Sequence, residues 1–265
     1  MLVIFGLILV ALIAIVGGDR GVMSLIALAG NLLILCIAIW LIASGVPVFP
    51  VTICLSVVIC CITLFYQNGI NRKTLSAFTA VLITIFILFF AIYYVVCKSG
   101  SGGLNEIQSV SEDVLYYNMN LNIPMQKVMA AVVLLSTLGA VTDMALTVST
   151  SLYEVKIHKP DMSNTELFQS GMQIGKSILG TTVNTLLFAY LGESMILFAY
   201  LRMQKQSLGI LLNSRLLFQN CIFMIFGALS CVLVIPISTL LMKKLCGGNH
   251  DRCKRKREKN FGRYS

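Results

Sequence analysis

The chain carries little charge. Asp, Glu, Lys and Arg make up 12% of its residues, about half the share found in a water-soluble domain. This scarcity excludes an ordinary soluble fold. Histidine is scarce too, and both copies, His158 and His250, stand in polar segments. No Ser/His/Asp set, metal-ligating helix motif or pair of carboxylates at useful spacing accompanies them, so we expect no enzyme and no cofactor.

In place of charged residues, the chain contains long apolar runs. Hydrophobic residues form 57% of the sequence, and the runs approach the length of about 20 residues that a bilayer-spanning helix needs. Residues 1–242 therefore predict an all-α integral membrane protein, with about seven transmembrane helices in one bundle. The expected spans are 2–16, 23–43, 51–66, 75–96, 127–152, 178–201 and 216–241.

The positive charge is concentrated at one end. Nine of the 20 Lys and Arg residues follow Met242, and residues 243–265 form a basic tail. Basic residues next to a span stay in the cytoplasm and attract anionic lipid headgroups. The tail therefore predicts a cytoplasmic C-terminus and, with seven spans, an external N-terminus. This placement argues against a nucleic-acid partner and for the lipid bilayer.

The cysteines do not predict a disulfide framework. There are nine of them, an odd number, and most lie within apolar runs, where Cys behaves as a small hydrophobe. Cys246, His250 and Cys253 form a loose group in the tail, whose spacing is a weak indication of metal binding. We expect neither a structural disulfide nor a metal site.

The longest polar section before the tail predicts a helix that lies at the membrane surface. It follows a flexible joint at residues 98–103. Within residues 104–118, apolar residues recur at helical spacing opposite Glu106, Glu112 and Asp113. That arrangement is typical of an amphipathic interfacial helix.

An acidic residue lies inside the fifth expected span. Charge at the centre of a bilayer is unfavourable by about 2.5–3.5 kcal/mol on insertion scales, so such residues face a bundle interior, a partner or water. Asp143 belongs to a small, polar stripe at spacings of three and four. One interpretation is a cation or proton site; the other is an interhelical hydrogen bond, or an ion pair with Lys176, that only holds the bundle together. The stripe comprises Ser136, Gly139, Ala140, Asp143, Thr147, Thr150 and Ser151.

A second polar cluster leads into the sixth expected span. It is rich in glycine and hydroxyl groups, which could leave backbone N–H groups free for an anion or line a cavity as a broken helix. The alternative is close helix packing through small residues. With the stripe residues Asp143 and Thr147, the cluster forms the candidate polar path. Its members are Ser170, Gly171, Gly175, Lys176, Gly180, Thr181, Asn184 and Glu193.

These two segments resemble a known family. Residues 138–145 and 170–192, and more weakly 17–25 and 234–238, are similar to the YibE/F-like bacterial membrane proteins, closely over 134–200. This chain has Lys176-Ser177 where the family usually has an Arg-Asp pair, and Asn220 where an acid is common. The resemblance implies a bacterial cell (plasma) membrane location, and a second related membrane subunit as partner.

The sequence leads to a ranked set of functions. The first is a permease, or a permease subunit, for a small solute or ion that passes through the polar interior of the fifth and sixth spans. The alternative is a non-transporting membrane scaffold subunit of a hetero-oligomeric membrane complex. An intramembrane enzyme ranks third, because such enzymes usually show a stronger motif than one isolated Asp.

Overall fold

A computed structural model describes residues 1–100, 102, 124–160, 162–203, 209 and 213–261. These described residues form six helices. No strand occurs in these ranges. The expected interfacial helix at 104–118 lies outside the described residues. So do the side chains of Cys246, His250 and Cys253. The helices are α1 (Leu2–Ala43), α2 (Val48–Cys61, continued by a π-helical turn, Ile62–Tyr66), α3 (Arg72–Ser99), α4 (Met125–His158), α5 (Asn164–Met203) and α6 (Arg215–Phe261).

The first helix bends sharply at a glycine pair. Gly18 has φ 54° and ψ −140°, outside the helical region, and a positive φ is accessible to glycine because it lacks a Cβ. Beyond the bend, a Cβ on Gly21 would strike the carbonyl oxygen of Ile13. In a straight helix, residues eight apart are separated by about 12 Å. The expected break after Val16 is therefore present, as a bend within α1.

Local chemistry sets the other helix starts. Pro47 precedes α2 and Pro50 lies in its first turn, where a missing N–H removes no hydrogen bond. The expected turn at residues 44–50 is consequently shorter than predicted. Asn71 caps α3 in a capping box with Thr74, whose hydroxyl accepts from the Asn71 backbone N–H at 2.9 Å. α3 ends at Gly100, in the left-handed conformation that glycine favours.

The sixth expected span begins earlier than its apolar residues indicate. α5 starts at Asn164, preceded by Ser163, whose backbone N–H donates to the Glu166 carboxylate at 3.0 Å. The Glu166 N–H donates in return to the Ser163 hydroxyl, and this reciprocal pair is a capping box. α5 then continues without interruption through all the glycines of the second cluster, so the broken-helix interpretation was wrong.

Three helices form the centre of the bundle. α3, α4 and α6 pack against one another, α5 packs on α6 and α4, and α2 packs on α4. α1 lies at the edge and contacts α2 and its π-helical turn, where Asn31 donates to the Thr63 hydroxyl at 3.2 Å. The largest side chains at the centre are fully buried, and they include Leu64, Leu88, Ile92, Leu134, Met144, Leu152, Leu167 and Met242.

The polarity of the bundle is that of a membrane protein. Large apolar side chains cover its outside, among them Leu28, Phe86 and Phe90. The interior contains small hydroxyls such as Thr84 and Thr142, each bonded to a carbonyl of its own helix at 2.7–2.8 Å. A water-soluble bundle avoids apolar surface of this extent, whereas a bilayer requires it.

By length and hydropathy, five helices are candidate membrane spans among the described residues. α1 counts as one because the assignment continues across its bend, and α5 is not among the five. The protein is therefore a multi-pass helical membrane protein, while the expected number of seven spans is not confirmed. The candidates are Val3–Ala43, Val48–Tyr66, Arg72–Ser99, Met125–His158 and Leu217–Leu245.

Candidate functional site

α4 is covered on nearly every side. It packs against α2, α3, α5 and α6, and these neighbours leave a narrow exposed line along it. Because the exposed positions are four or seven residues apart, they share one helix face. We call this line the polar strip; it contains Val132, Gly139, Asp143, Thr147 and Glu154. The most central helix of the bundle thus exposes mainly small or polar residues.

Asp143 lies at the middle of the polar strip. The residue is exposed, and among the described side chains none forms a hydrogen bond or an ion pair with its carboxylate. The Thr147 hydroxyl donates at 2.7 Å to the backbone carbonyl of Asp143, not to its carboxylate. Neither the interhelical hydrogen bond nor the pair with Lys176 is formed within the described part of the chain. A charged carboxylate in a membrane needs water, another molecule or a protein partner to solvate it.

The depth of Asp143 follows from contacts between neighbouring helices. The Thr182 hydroxyl donates to the Met144 sulfur at 3.4 Å, and a Cβ at Gly171 would meet Leu152 at 2.7 Å and also Thr239. Leu152 and Thr239 therefore lie at about the same level. Asp143 precedes Leu152 by nine residues on α4. At 1.5 Å per residue it lies about 20 Å from Lys243, where the basic tail begins. A hydrocarbon core of about 30 Å that ended at Lys243 would therefore contain Asp143.

The glycines of α5 divide into two kinds. Gly171 and Gly175 are buried, and a Cβ on them would strike Thr239 and Ile235 of α6 respectively. They let α5 and α6 approach closely. Gly180 is exposed, as is Gly139 of the polar strip, and within the described structure no atom of another element lies within 4 Å of the Cβ position at either glycine. Close packing inside the chain therefore explains only the first pair.

The other residues of the second cluster lie mostly on the outer face of α5. Lys176, Thr181 and Asn184 are exposed and Ser170 is half-buried. The Thr181 hydroxyl donates to the Ile178 carbonyl at 2.8 Å, so that hydroxyl is occupied locally. The side chain of Glu193 lies outside the described residues. Because α5 is continuous, the backbone N–H groups of residues 171–180 are inside the helix and do not form an anion site.

Some polar interior contacts were not evident from the sequence. The Asn220 amide of α6 donates to the Ser194 hydroxyl of α5 at 3.0 Å. Ser76 of α3 and Ser149 of α4 are fully buried, and their hydroxyls have no hydrogen-bond partner in the described structure. Serine is too common in helices for sequence alone to identify these positions.

The cavity found among the described residues lies away from Asp143. A cavity of about 360 Å³ lies between α1 and α2, and its walls are apolar, with Ile37, Pro50 and Cys54 among them. Asp143 and Asn184 are not part of its lining. The polar groups are instead open on the outside of a single chain.

Comparison with known proteins identifies the family of this chain. Residues 5–248 match the family model described as YibE/F-like protein. The chain belongs to the YibE/F-like family. The comparisons found no match among curated proteins and none among solved structures. The matched residues include nearly all of α1, all of α2 to α5 and most of α6, so the polar strip lies within the matched region.

Proposed function

We propose that this YibE/F-like protein is a permease, or a subunit of one, for a small cation or a small polar solute. The observation that carries the proposal is the exposed Asp143 on the polar strip of α4, a helix whose other faces are covered by neighbouring helices. A lipid-facing carboxylate at that depth is unfavourable, whereas one beside water is solvated. The polar strip is the wall of the path, and Asp143 is the group that attracts a cation.

The proposal includes an arrangement in the membrane. The bend at Gly18 divides α1 into two spans, and α5 supplies another, which gives seven. The basic tail then lies in the cytoplasm of a bacterial cell, and the N-terminus lies outside. Thiol labelling tests this orientation: after removal of the other native cysteines, a membrane-impermeant reagent added to intact cells should leave Cys253 unlabelled. Labelling of Cys253 would reverse the topology.

Water access to the polar strip is the first test of the path. In a cysteine-free background, Thr147→Cys should react with a charged, water-soluble thiol reagent. Phe86→Cys is the matched control, because Phe86 is 66% exposed near the middle of α3 but faces lipid. We expect at least tenfold faster labelling at position 147, because thiolates form in water and not in hydrocarbon. Equal, slow labelling at both positions would eliminate the path.

Flux is the second test, and protons and monovalent cations are the probes. Purified protein is reconstituted in liposomes that contain a pH-sensitive or cation-sensitive dye. Asp143→Asn retains the shape and removes the charge, so flux should fall about tenfold or more. The control is Thr79→Val on α3, outside the polar strip, whose hydroxyl bonds to carbonyls of its own helix, and it should stay within about twofold of the unmodified protein.

The alternative function is a non-transporting scaffold subunit of a larger membrane complex. The open glycines Gly139 and Gly180 favour it, because a flat surface allows another helix to approach. In a scaffold, the polar strip is covered and dry. The labelling experiment therefore separates the two functions, since Thr147→Cys in a dry interface does not react.

A further inference from the structure

The outer face of α5 is polar where it would meet lipid. We define the α5 face by six exposed residues: Gln173, Lys176, Ser177, Gly180, Thr181 and Asn184. From the contact of Thr182 with Met144, Asn184 is close to the level of Asp143. Amide and hydroxyl groups so deep in a bilayer find protein partners, and small residues mark where a second helix approaches.

We propose that the α5 face binds the same face of a second copy of this chain, as a two-fold symmetric dimer. In such an interface each surface is complementary to itself. Asn184 meets this requirement, because a side-chain amide both donates and accepts hydrogen bonds. Gly180 meets it as well, because the open space at its Cβ position leaves room for the backbone of a neighbouring helix.

Charge is what selects a second copy over another partner. At 3.6 residues per turn, Gln173, Gly180 and Asn184 run along the middle of the α5 face. Lys176 lies on the edge next to α6, and Thr181 lies on the edge next to α4. In the dimer, a two-fold axis runs parallel to α5 through the middle of the α5 face. It places the Lys176 edge of one copy against the Thr181 edge of the other. The Lys176 edge of each copy therefore faces the Asp143 side of the other.

The heights of the two charges are compatible with such a contact. Interpolation between the contacts Met144–Thr182 and Leu152–Gly171 places Lys176 about one and a half turns from the level of Asp143. A lysine side chain is long and flexible, and it extends along a helix to place its ammonium group. Each Asp143 carboxylate, which lacks a partner among the described side chains, thereby gains a cation from the other copy, and a permeant cation displaces this lysine when it binds.

This inference deepens the proposed function, because it places the path between the two copies. Only that placement rests on the proposed function. The dimer can be tested without flux. In a cysteine-free background, Asn184→Cys and Gly180→Cys lie beside the axis and should form disulfide-linked dimers on mild oxidation in native membranes. Phe90→Cys is the control, because Phe90 is 57% exposed on α3, away from the α5 face.

A charge exchange gives the sharper readout. Asp143→Lys and Lys176→Asp each place like charges together in the dimer, so each should weaken dimerisation about tenfold or more, measured by energy transfer between labelled copies in liposomes. The double variant restores the attraction and should recover the dimer. A role in folding alone would not produce this recovery.

The outcomes separate the possibilities. Absence of cross-links at both Asn184→Cys and Gly180→Cys, in protein that reaches the membrane, overturns the dimer. Cross-linking to a product of a different mass also overturns it, because the face then belongs to another subunit. If the dimer forms normally but water-soluble reagents do not label Thr147→Cys, the dimer is supported and the proposed path is excluded.

Discussion

The two faces of α5 contain similar residues and have opposite surroundings. On the inner face, Gly171 and Gly175 lie against Thr239 and Ile235 of α6. On the outer face, Gly180 meets nothing in the described structure within 4 Å of its Cβ position. Small residues permit close approach in both cases. The difference shows that one glycine-rich segment can pack against a helix of its own chain on one face and leave the opposite face uncovered.

The largest expected effect comes from filling the inner face. Gly175→Leu forces a side chain into Ile235, and overpacking of this kind destabilises by about 1–3 kcal/mol, occasionally more. We expect loss of folded protein, measured as thermal stability in detergent where the chain is monomeric. Gly180→Leu is the control, and its monomer should keep its stability, because the site is open and leucine favours a helix.

The opposite result at Gly180 would change the comparison. The sequence alone predicts that Gly175→Leu and Gly180→Leu each disrupt the bundle far more than Leu187→Ala, and that a cysteine pair at Gly139 and Gly180 cross-links. The open space at both Gly139 and Gly180 now predicts otherwise. Severe monomer destabilisation by Gly180→Leu would mean that the outer face is packed within the chain.

An intermediate effect is expected from the polar contact between α5 and α6. Asn220→Leu removes the amide that donates to Ser194, and interhelical hydrogen bonds in membranes average about 0.6 kcal/mol, up to about 1.7 kcal/mol. Unfolding of the detergent-solubilised monomer should register a loss in that range. Asn184→Leu, on the outer face, should leave the monomer unchanged. An equal loss of stability in both variants would show that the Asn184 amide, like that of Asn220, has a partner within the chain.

The smallest expected effect concerns the contact between α4 and α5. Thr182 donates to the Met144 sulfur at 3.4 Å and also to the Ile178 carbonyl. Because thioether sulfur is a weak acceptor, Thr182→Val should change stability by less than about 0.5 kcal/mol. Thr181→Val provides the matched control. A loss above 1.5 kcal/mol at Thr182 alone would show that α5 depends on α4 as much as on α6.

Much of the architecture could be predicted from composition and periodicity. The apolar runs correctly indicated helices, the break near Gly18 is present as a bend, and the stripe of α4 residues does share one face. The start of α5 was missed by fourteen residues, because residues 164–177 are polar and only their capping box and packing reveal a helix. Hydropathy measures affinity for lipid, so it does not detect a helix, such as the first part of α5, that has a polar side.

The candidate site was harder to predict for a related reason. Asp143, Thr147, Gly171 and Gly180 were recognised together, because charge and small residues are rare in apolar spans. Sequence could not separate the buried Gly171 from the exposed Gly180, since residue type is the same in both. Only the position of α6 distinguishes them.

The sequence by itself determined that the chain is helical, enters a membrane and carries an unfavourable charge, because these properties depend on residue type and spacing. The tertiary structure decided which surfaces are covered. It buried α4 among four helices, left Asp143 on a narrow exposed strip and placed Gly171 and Gly175 against α6. Coverage depends on which helices become neighbours, and that is set by the packing of the whole bundle rather than by any segment alone.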